Sequence, residues 1–211
     1  MTGGPRGVDA LYRARKGRVE FIDVPPMQYL VTTGDGELHG PDFTRAADEL
    51  STVGCGVRSV LKAERDLVTK SMPLEALWWA DEPPQQDLVA AVALGVTDVA
   101  AEPRWHWQVM IMQPEAIGES TVALAVEHAR QKDRPTPAEV RIELWTEGPA
   151  AQTLHVGPYA DEEPTMALLL AAIEAAGLQP RGRRHEIYLS DPRRRAPERL
   201  RTILRHPVEP T

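Results

Sequence analysis

The sequence predicts an α+β protein assembled from two β-α-β-β units. Three observations carry that prediction. Segments with strand and helix character run in the order strand, helix, strand, strand, and the second half of the chain repeats the order. Landmark residues recur with it. Gln28 stands two residues before Leu30 as Gln152 does before Leu154, and Gly54 and Gly177 each follow a helical segment. Glu75 in "PLEALWW" is matched by Glu186 in "RHEIYLS", and Pro114 and Pro207 each close a last strand. Third, the differences in spacing fall in loops, chiefly an insertion at residues 81–104.

Residues 1–17 read as a loose, basic and flexible lead-in. The first unit, about 18–114, opens with "VEFIDVPPMQYLVTTGDG", a strand interrupted by Pro25 and Pro26 and ending at the turn-forming Gly34-Asp35-Gly36. "PDFTRAADELSTVG" has helical spacing: Asp42 is the expected N-cap, Phe43, Ala46 and Leu50 share a face, and Gly54 is the expected stop. After a mixed segment, "PLEALWWA" reads as a short strand. Residues 81–104 read as a loop around a small apolar segment, and "WHWQVMIMQP" as a further strand. The joining segment "EAIGESTVALAVEHARQK" is helical in pattern and "DRPTPAE" breaks it.

The second unit, about 140–208, starts with "VRIELWTEGPAAQTLHVGPY", a strand kinked near Gly148-Pro149. "DEEPTMALLLAAIEAAG" is the strongest helix, with acids and Pro164 at its start and Gly177 at its end. "RHEIYLSD" is a strand, "DPRRRAPE" a loop and "LRTILRHPV" the last strand. The expected organisation is a single domain over residues 18–211 made of these two repeats. Internal repeats of this size pack as pseudo-dimers, and a pocket between the halves is where a ligand is expected.

Composition excludes several classes. The formal net charge of −7 argues against a general nucleic-acid binder, because phosphate contacts need a basic surface. Cys55 is the only cysteine, so an intrachain disulfide and a cysteine metal cluster are both ruled out. No run of ~18 apolar residues suggests a membrane span, and the N-terminus lacks an apolar signal core. A cytoplasmic protein without membrane attachment is expected, with the oligomeric state open. His106, His155 and His185 fall on different elements without ligand spacing, so no metal is expected, and no nucleotide-binding or nucleophile-elbow motif calls for a cofactor.

The strand "RHEIYLS" poses the chemical question. Alternation puts Glu186, Tyr188 and Ser190 on one side and Ile187 and Leu189 on the other. A carboxylate beside an aromatic ring is costly to bury unless it has a partner or a cationic ligand, so that face looks either into water or into a site. The aromatic residues are few, and their grouping is informative. On the strand of Glu75, Leu77 and Trp79 share its face, which assigns Trp79 to the site and Trp78 to the core. Trp105 and Trp107 share a face of their strand, and Tyr159 lies at the exit of "HVGPY". Each of these rings reads either as core filling or as a stacking surface for a planar or cationic ligand. Trp145 reads equally as core or as site, and Phe43 as core with a pocket wall as the alternative.

"PLEALWW", "WHWQVMIMQP", "HVGPYADEEPT", "HEIYLSDPRR" and "LRTILRHPV" together resemble the GyrI-like small-molecule-binding proteins, over roughly residues 18–208. The resemblance implies a pseudo-twofold antiparallel sheet with helices on one side, the fold also used by effector-binding domains of multidrug-responsive regulators. It implies a ligand class, bulky planar aromatic or cationic compounds, held against a glutamate in an aromatic cage. "HEIYLSDPR" with "PLE-x-LWW" is similar to a stand-alone branch that includes cyclopropanoid cyclopropyl hydrolases, which open the cyclopropane of yatakemycin-type DNA-alkylating antibiotics. On that resemblance Glu186 and Tyr188 are the catalytic candidates, and Trp79, Trp107, Tyr159, Glu75 and Trp105 the ligand-binding ones. The implied role is detoxification and antibiotic resistance; the alternative is a non-catalytic protein that sequesters drugs. Two positions depart from the pattern: Ala76 replaces an expected glycine, and Arg184 stands where many relatives carry a second histidine.

Overall fold

The computed structural model of the chain describes residues 7–80, 105–113 and 116–211. The segment expected over residues 81–104 and the landmark Pro114 lie outside the described residues. The chain divides into two compact units. All strand pairs with a defined register are antiparallel, and the α+β class is as the sequence predicts.

The first unit comprises the described parts of residues 1–25, 78–103 and 147–211. It contains α1 (Val8–Leu11), β1 (Glu20–Val24), β6 (Gly148–Val156), α4 (Glu163–Ala175), β7 (Leu178–Pro180), β8 (Arg184–Tyr188) and β9 (Arg201–Pro210). Strands run β1-β6-β9-β8, with β7 beside β9. Met166, Leu169 and Ile173, spaced along one stripe of α4, pack on Ala151, Leu204 and Val208 of β6 and β9. The other face of these strands buries Leu154, Ile187 and Ile203 beneath Tyr12 and Ala14. Full burial of each such aliphatic side chain stabilises by about 1.5–3 kcal/mol.

The expectation of a loose lead-in does not fit residues 7–17. The Leu11 carbonyl accepts a bond of 2.6 Å from the buried Arg205 guanidinium, and the Arg13 carbonyl one of 3.0 Å from Gln152. Lys16 bridges to Leu154 of β6. These partners lie far along the chain, which is why local sequence gave no sign of them.

The second unit comprises the described parts of residues 26–77 and 104–146. It holds β2 (Met27–Gly36), α2 (Pro41–Arg65), β4 (Trp105–Met112), α3 (Glu119–Arg130) and β5 (Arg141–Trp145). Strand β3 (Leu74–Ala80) gives its first residues to this unit and Trp78 onward to the other. Strand order here is β4-β2-β5. Helix α2 continues past the expected stop at Gly54 to Arg65, and Asp66 closes it in the left-handed conformation at φ 50°. Gly54 and Gly56 serve packing instead. A Cβ at Gly54 would lie 3.2 Å from Ile111 Cδ1, and one at Gly56 would lie 3.0 Å from Ala125 Cβ of α3.

Neither compact unit coincides with a sequence repeat. β1 pairs with β6 inside the first unit, and β5 pairs with β2 inside the second, so each repeat's opening strand completes the unit built around the other repeat. What reads as one interrupted strand in each half is therefore two strands that part at Pro25-Pro26 and at Thr146-Glu147. Prolines cannot donate to a ladder, and Gly148 turns at φ 71°. The match of Gln28 with Gln152 is also displaced. On β2, Gly34 lies under Trp107, which meets Phe43 of α2, so the even positions including Gln28 face that helix. On β6, Ala151 faces α4, which turns Gln152 to the opposite side.

Candidate functional site

Strand β8 sets the site. Glu186 and Tyr188 are paired across β9 with Leu204 and Thr202. Because Leu204 packs against α4, the even positions Arg184, Glu186 and Tyr188 all point to the helix side. Glu186 is fully buried and Tyr188 nearly so. The face looks into the protein and not into water.

Polar and aromatic side chains gather at the Glu186 carboxylate. The Tyr188 hydroxyl donates to its Oε2 over 3.0 Å, and Trp78 Nε1 donates to that hydroxyl over 3.2 Å. Arg184 Nη2 lies 2.6 Å from Glu186 Oε1 and also binds Glu162 Oε2, which the turn before α4 brings in. The Tyr159 ring meets that of Tyr188 edge to face, with centroids 5.6 Å apart. This short turn, Tyr159–Asp161, sits at the end of "HVGPY".

The electrostatics follow from the count. Two buried carboxylates share one buried guanidinium, so the cluster carries one more negative than positive charge when both acids are ionised. Burial, and then the Glu186 charge, hold the Glu162 carboxyl well above the usual carboxylate range against the pull of Arg184. Burial and the same Glu186 charge push the Tyr188 phenol well above its ordinary value, and Tyr159 up to about 12. Both phenols are hydrogen-bond donors at neutral pH. The site offers a carboxylate, two neutral phenols and an indole edge, and its charge suits a cation or a proton.

The predicted residues do not all gather here. Glu186, Tyr188 and Tyr159 do. Trp78, read as core, is the tryptophan that reaches Tyr188, while Trp79 alternates to the opposite face of β3. There Trp79 lies half-buried with the Arg183 guanidinium 3.6 Å from its ring centroid, and Arg183 likewise alternates away from Arg184. Glu75 is fully buried, and alternation along β3 sets it on the side away from Trp78, not on Trp78's side. Trp105 and Trp107 belong to the second unit. Trp107 is buried over Gly34 and meets Phe43 edge to face at 6.0 Å, and Trp105 is half-buried at the start of β4. The assignment on β3 took its phase from Glu75, which shares a face with Trp79, whereas the face that reaches Tyr188 is that of Trp78. Arg184 was noted only as a departure from the family pattern, and Glu162 was not singled out. Arg184 was legible, since it shares the two-residue period of Glu186; Glu162 was hidden in a turn without periodicity.

A second buried polar cluster occupies the other face of the first unit. Glu147 accepts from Arg205 Nη1 and pairs with His185 Nδ1, each at 2.9 Å, and Arg205 also donates to Gln152 over 3.0 Å. Burial raises the Glu147 carboxyl, but the charges and hydrogen bonds of His185 and Arg205 outweigh it and bring the value to about 2. With Arg205 on the Leu11 carbonyl, this cluster ties the lead-in and the start of β6 to β8 and β9. His155 is likewise engaged structurally, by Thr165 and the Pro158 carbonyl, each at 3.0 Å.

With this geometry in hand, comparison with known proteins is specific. Residues 18–209 match the family model described as the GyrI-like small molecule binding domain. The structure is similar to that of an uncharacterized conserved protein from Listeria innocua, at 29% identity, a TM-score of 0.80 and coverage of 96% of this chain and 97% of that one. It is similar as well to a hydrolase from Listeria innocua, at 27% identity, TM-score 0.75 and coverage of 95% and 96%. The C-terminal domain of EcmrR shares the fold, at 12% identity and TM-score 0.55, over 92% of this chain and 98% of that one. No curated protein matches the sequence. Among the described residues, no helix is long and apolar enough to cross a membrane.

Proposed function

The chain belongs to the GyrI-like family of small-molecule-binding domains, and on that premise we propose that it binds bulky planar aromatic compounds and hydrolyses the cyclopropane of yatakemycin-type alkylators. The observation that carries the reading is the Tyr188–Glu186 hydrogen bond of 3.0 Å, buried among aromatic rings. A hydrolase from Listeria innocua with the same fold, over nearly the whole of both chains, supports an enzymatic role.

In this mechanism the ligand stacks on the rings of the site, and Glu186 takes a proton from water. The water oxygen bonds to the less hindered cyclopropane carbon as the ring C–C bond breaks. The electron pair of that bond moves through the conjugated dienone to the carbonyl oxygen, giving a phenolate that takes up a proton. The net change is addition of one water. Tyr188, fixed between Trp78 and Glu186, orients the carboxylate, and Tyr159 is the donor assigned to the developing oxyanion. The biological role proposed is protection against genotoxic antibiotics.

A second reading, non-catalytic sequestration, is favoured by the buried Glu186 carboxylate beside the Tyr159 and Tyr188 rings, which suits a cationic aromatic guest without any reaction. One experiment separates the two. Purified protein is mixed with a yatakemycin-type cyclopropanoid and the product followed by mass spectrometry, beside Glu186→Gln and Tyr188→Phe. Multiple turnovers to the water adduct, lost in Glu186→Gln, support hydrolysis. Tight binding with the compound recovered unchanged supports sequestration and overturns hydrolysis.

A further inference from the structure

A cavity of about 710 Å³ opens on the face of the first unit that bears the lead-in, and its walls include Arg13, Arg15, Arg201, Tyr12, Leu189 and Glu20. Its charge runs against that of the chain, which is −7 overall. Three arginines line one space, and none of the three has an acidic partner among the described residues. The single lining carboxylate, Glu20, already has Arg18 at 4.0 Å.

The cations sit on backbone that folding has fixed. Arg13 and Arg15 are two residues apart in the lead-in, whose path is pinned by the Arg205–Leu11 and Gln152–Arg13 hydrogen bonds of 2.6 and 3.0 Å. An antiparallel bridge between Arg15 and Arg18 and the contact of Lys16 with Leu154 fix the far end. Arg201 is supplied by the first residue of β9. Bringing like charges together is unfavourable unless an anion fills the space between them, and a fixed backbone lowers the entropy lost on binding one. Guanidinium groups bind phosphate oxygens in a bidentate manner.

We propose that this cavity is a second binding site, separate from Glu186, that takes a small polyphosphate anion. The shared chemistry is a diphosphate held by Arg13, Arg15 and Arg201. The group it is attached to is the remaining variable, and the Tyr12 ring in the wall offers a stacking surface for a base.

The test is calorimetric titration of the full chain with inorganic pyrophosphate and, separately, with ADP, at constant ionic strength in chloride. Saturable binding of pyrophosphate is expected, weakened at least tenfold in Arg13→Gln/Arg201→Gln. Both side chains are exposed, and it is the Arg13 carbonyl that holds Gln152, so this variant keeps the fold. ADP bound more than tenfold better than pyrophosphate, with the margin lost in Tyr12→Leu, identifies a nucleotide site; equal affinities identify a site for the bare diphosphate. Absence of pyrophosphate binding to the native chain, or equal affinity in the double variant, overturns the proposal. Glu186→Gln is expected to bind pyrophosphate as the native chain does, so failure of the proposed hydrolase activity has no bearing on this outcome.

Discussion

Arg184 is the shared partner of two buried carboxylates: one of its nitrogens, Nη2, contacts both Glu162 and Glu186, the latter at 2.6 Å. Removing one partner of a buried ion pair leaves an uncompensated charge, which costs about 3–5 kcal/mol. Arg184→Gln is therefore expected to lose stability of this order in urea unfolding at neutral pH. Neutralising one acid as well, in Arg184→Gln/Glu162→Gln, is expected to recover a large part of the loss. The sign with pH follows from Glu162, whose value is raised: its folded form keeps a proton that the unfolded chain has given up, so its contribution falls as pH rises above the carboxylate range. The Arg184→Gln defect should be smaller at pH ~5 than at pH ~8. A single variant as stable as the native chain at both pH values rules out the ion-pair account.

The two phenols near Glu186 give a spectroscopic prediction. Tyr159 ionises at about 12 and Tyr188 well above the ordinary 10. A raised phenol value means stability that is full below pH ~10 and lost as pH climbs toward the folded value. Ultraviolet titration of phenolate is expected to show a late step near pH 12 that disappears in Tyr159→Phe. In Glu186→Gln that step is expected to move down, since the Glu186 charge is one of its causes. A Tyr159 step at the ordinary position in the native chain contradicts the assigned burial and charge.

Trp107 predicts an intolerance at Gly34. A Cβ there would lie 2.3 Å from Trp107 Cζ2 and Cη2, closer than any real contact. Gly34→Ala must displace the indole or the strand, and overpacking of this kind costs about 1–3 kcal/mol. Intrinsic tryptophan fluorescence should shift along with the denaturation midpoint. Gly34→Ala/Trp107→Leu should be less destabilised than the sum of the two single variants. Strict additivity would place the ring elsewhere.

What the sequence disclosed followed from periodicity. The two-residue alternation of β8 put Glu186 and Tyr188 on one face, and the acids, Pro164 and Gly177 marked the helix that became α4, because each signal lies within a single element. Trp79 was set in the site because it shares a face with Glu75, and only the placement of Tyr188 beside Trp78 shows that the other face of β3 meets Glu186. Gly54 looked like a helix stop because a packing glycine and a capping glycine are the same letter; only Ile111 distinguishes them. The crossed pairing of β1 with β6 and of β5 with β2 was beyond reach for the same reason as the anchoring of the lead-in: both depend on partners more than a hundred residues away.

The cluster of Glu147, His185 and Arg205 predicts how the protein responds to acid. Glu147 titrates at about 2 in the folded chain against an ordinary 4.5, so its stabilisation is present above the ordinary value and is lost as pH falls through the folded one. The difference corresponds to about 3 kcal/mol at full effect. His206, buried beside the Pro207 carbonyl, adds to the loss. Burial lowers it to about 4 from 6.5, so the unfolded chain takes up a proton there first, and stability declines as pH drops from 6.5 toward 4. Urea unfolding measured from pH 7 to pH 2.5 is therefore expected to fall in two overlapping stages. His206→Gln should remove the upper stage, and Glu147→Gln the lower one, at the cost of a lower plateau at neutral pH where His185 and Arg205 lose their anion. Hydrogen exchange adds a local readout: the Arg205–Leu11 and Gln152–Arg13 contacts flank this cluster, so amides of residues 8–16 should lose protection in Glu147→Gln before those of β9 do. A uniform change across both segments would mean that the cluster stabilises the unit as a whole without specifically anchoring the lead-in.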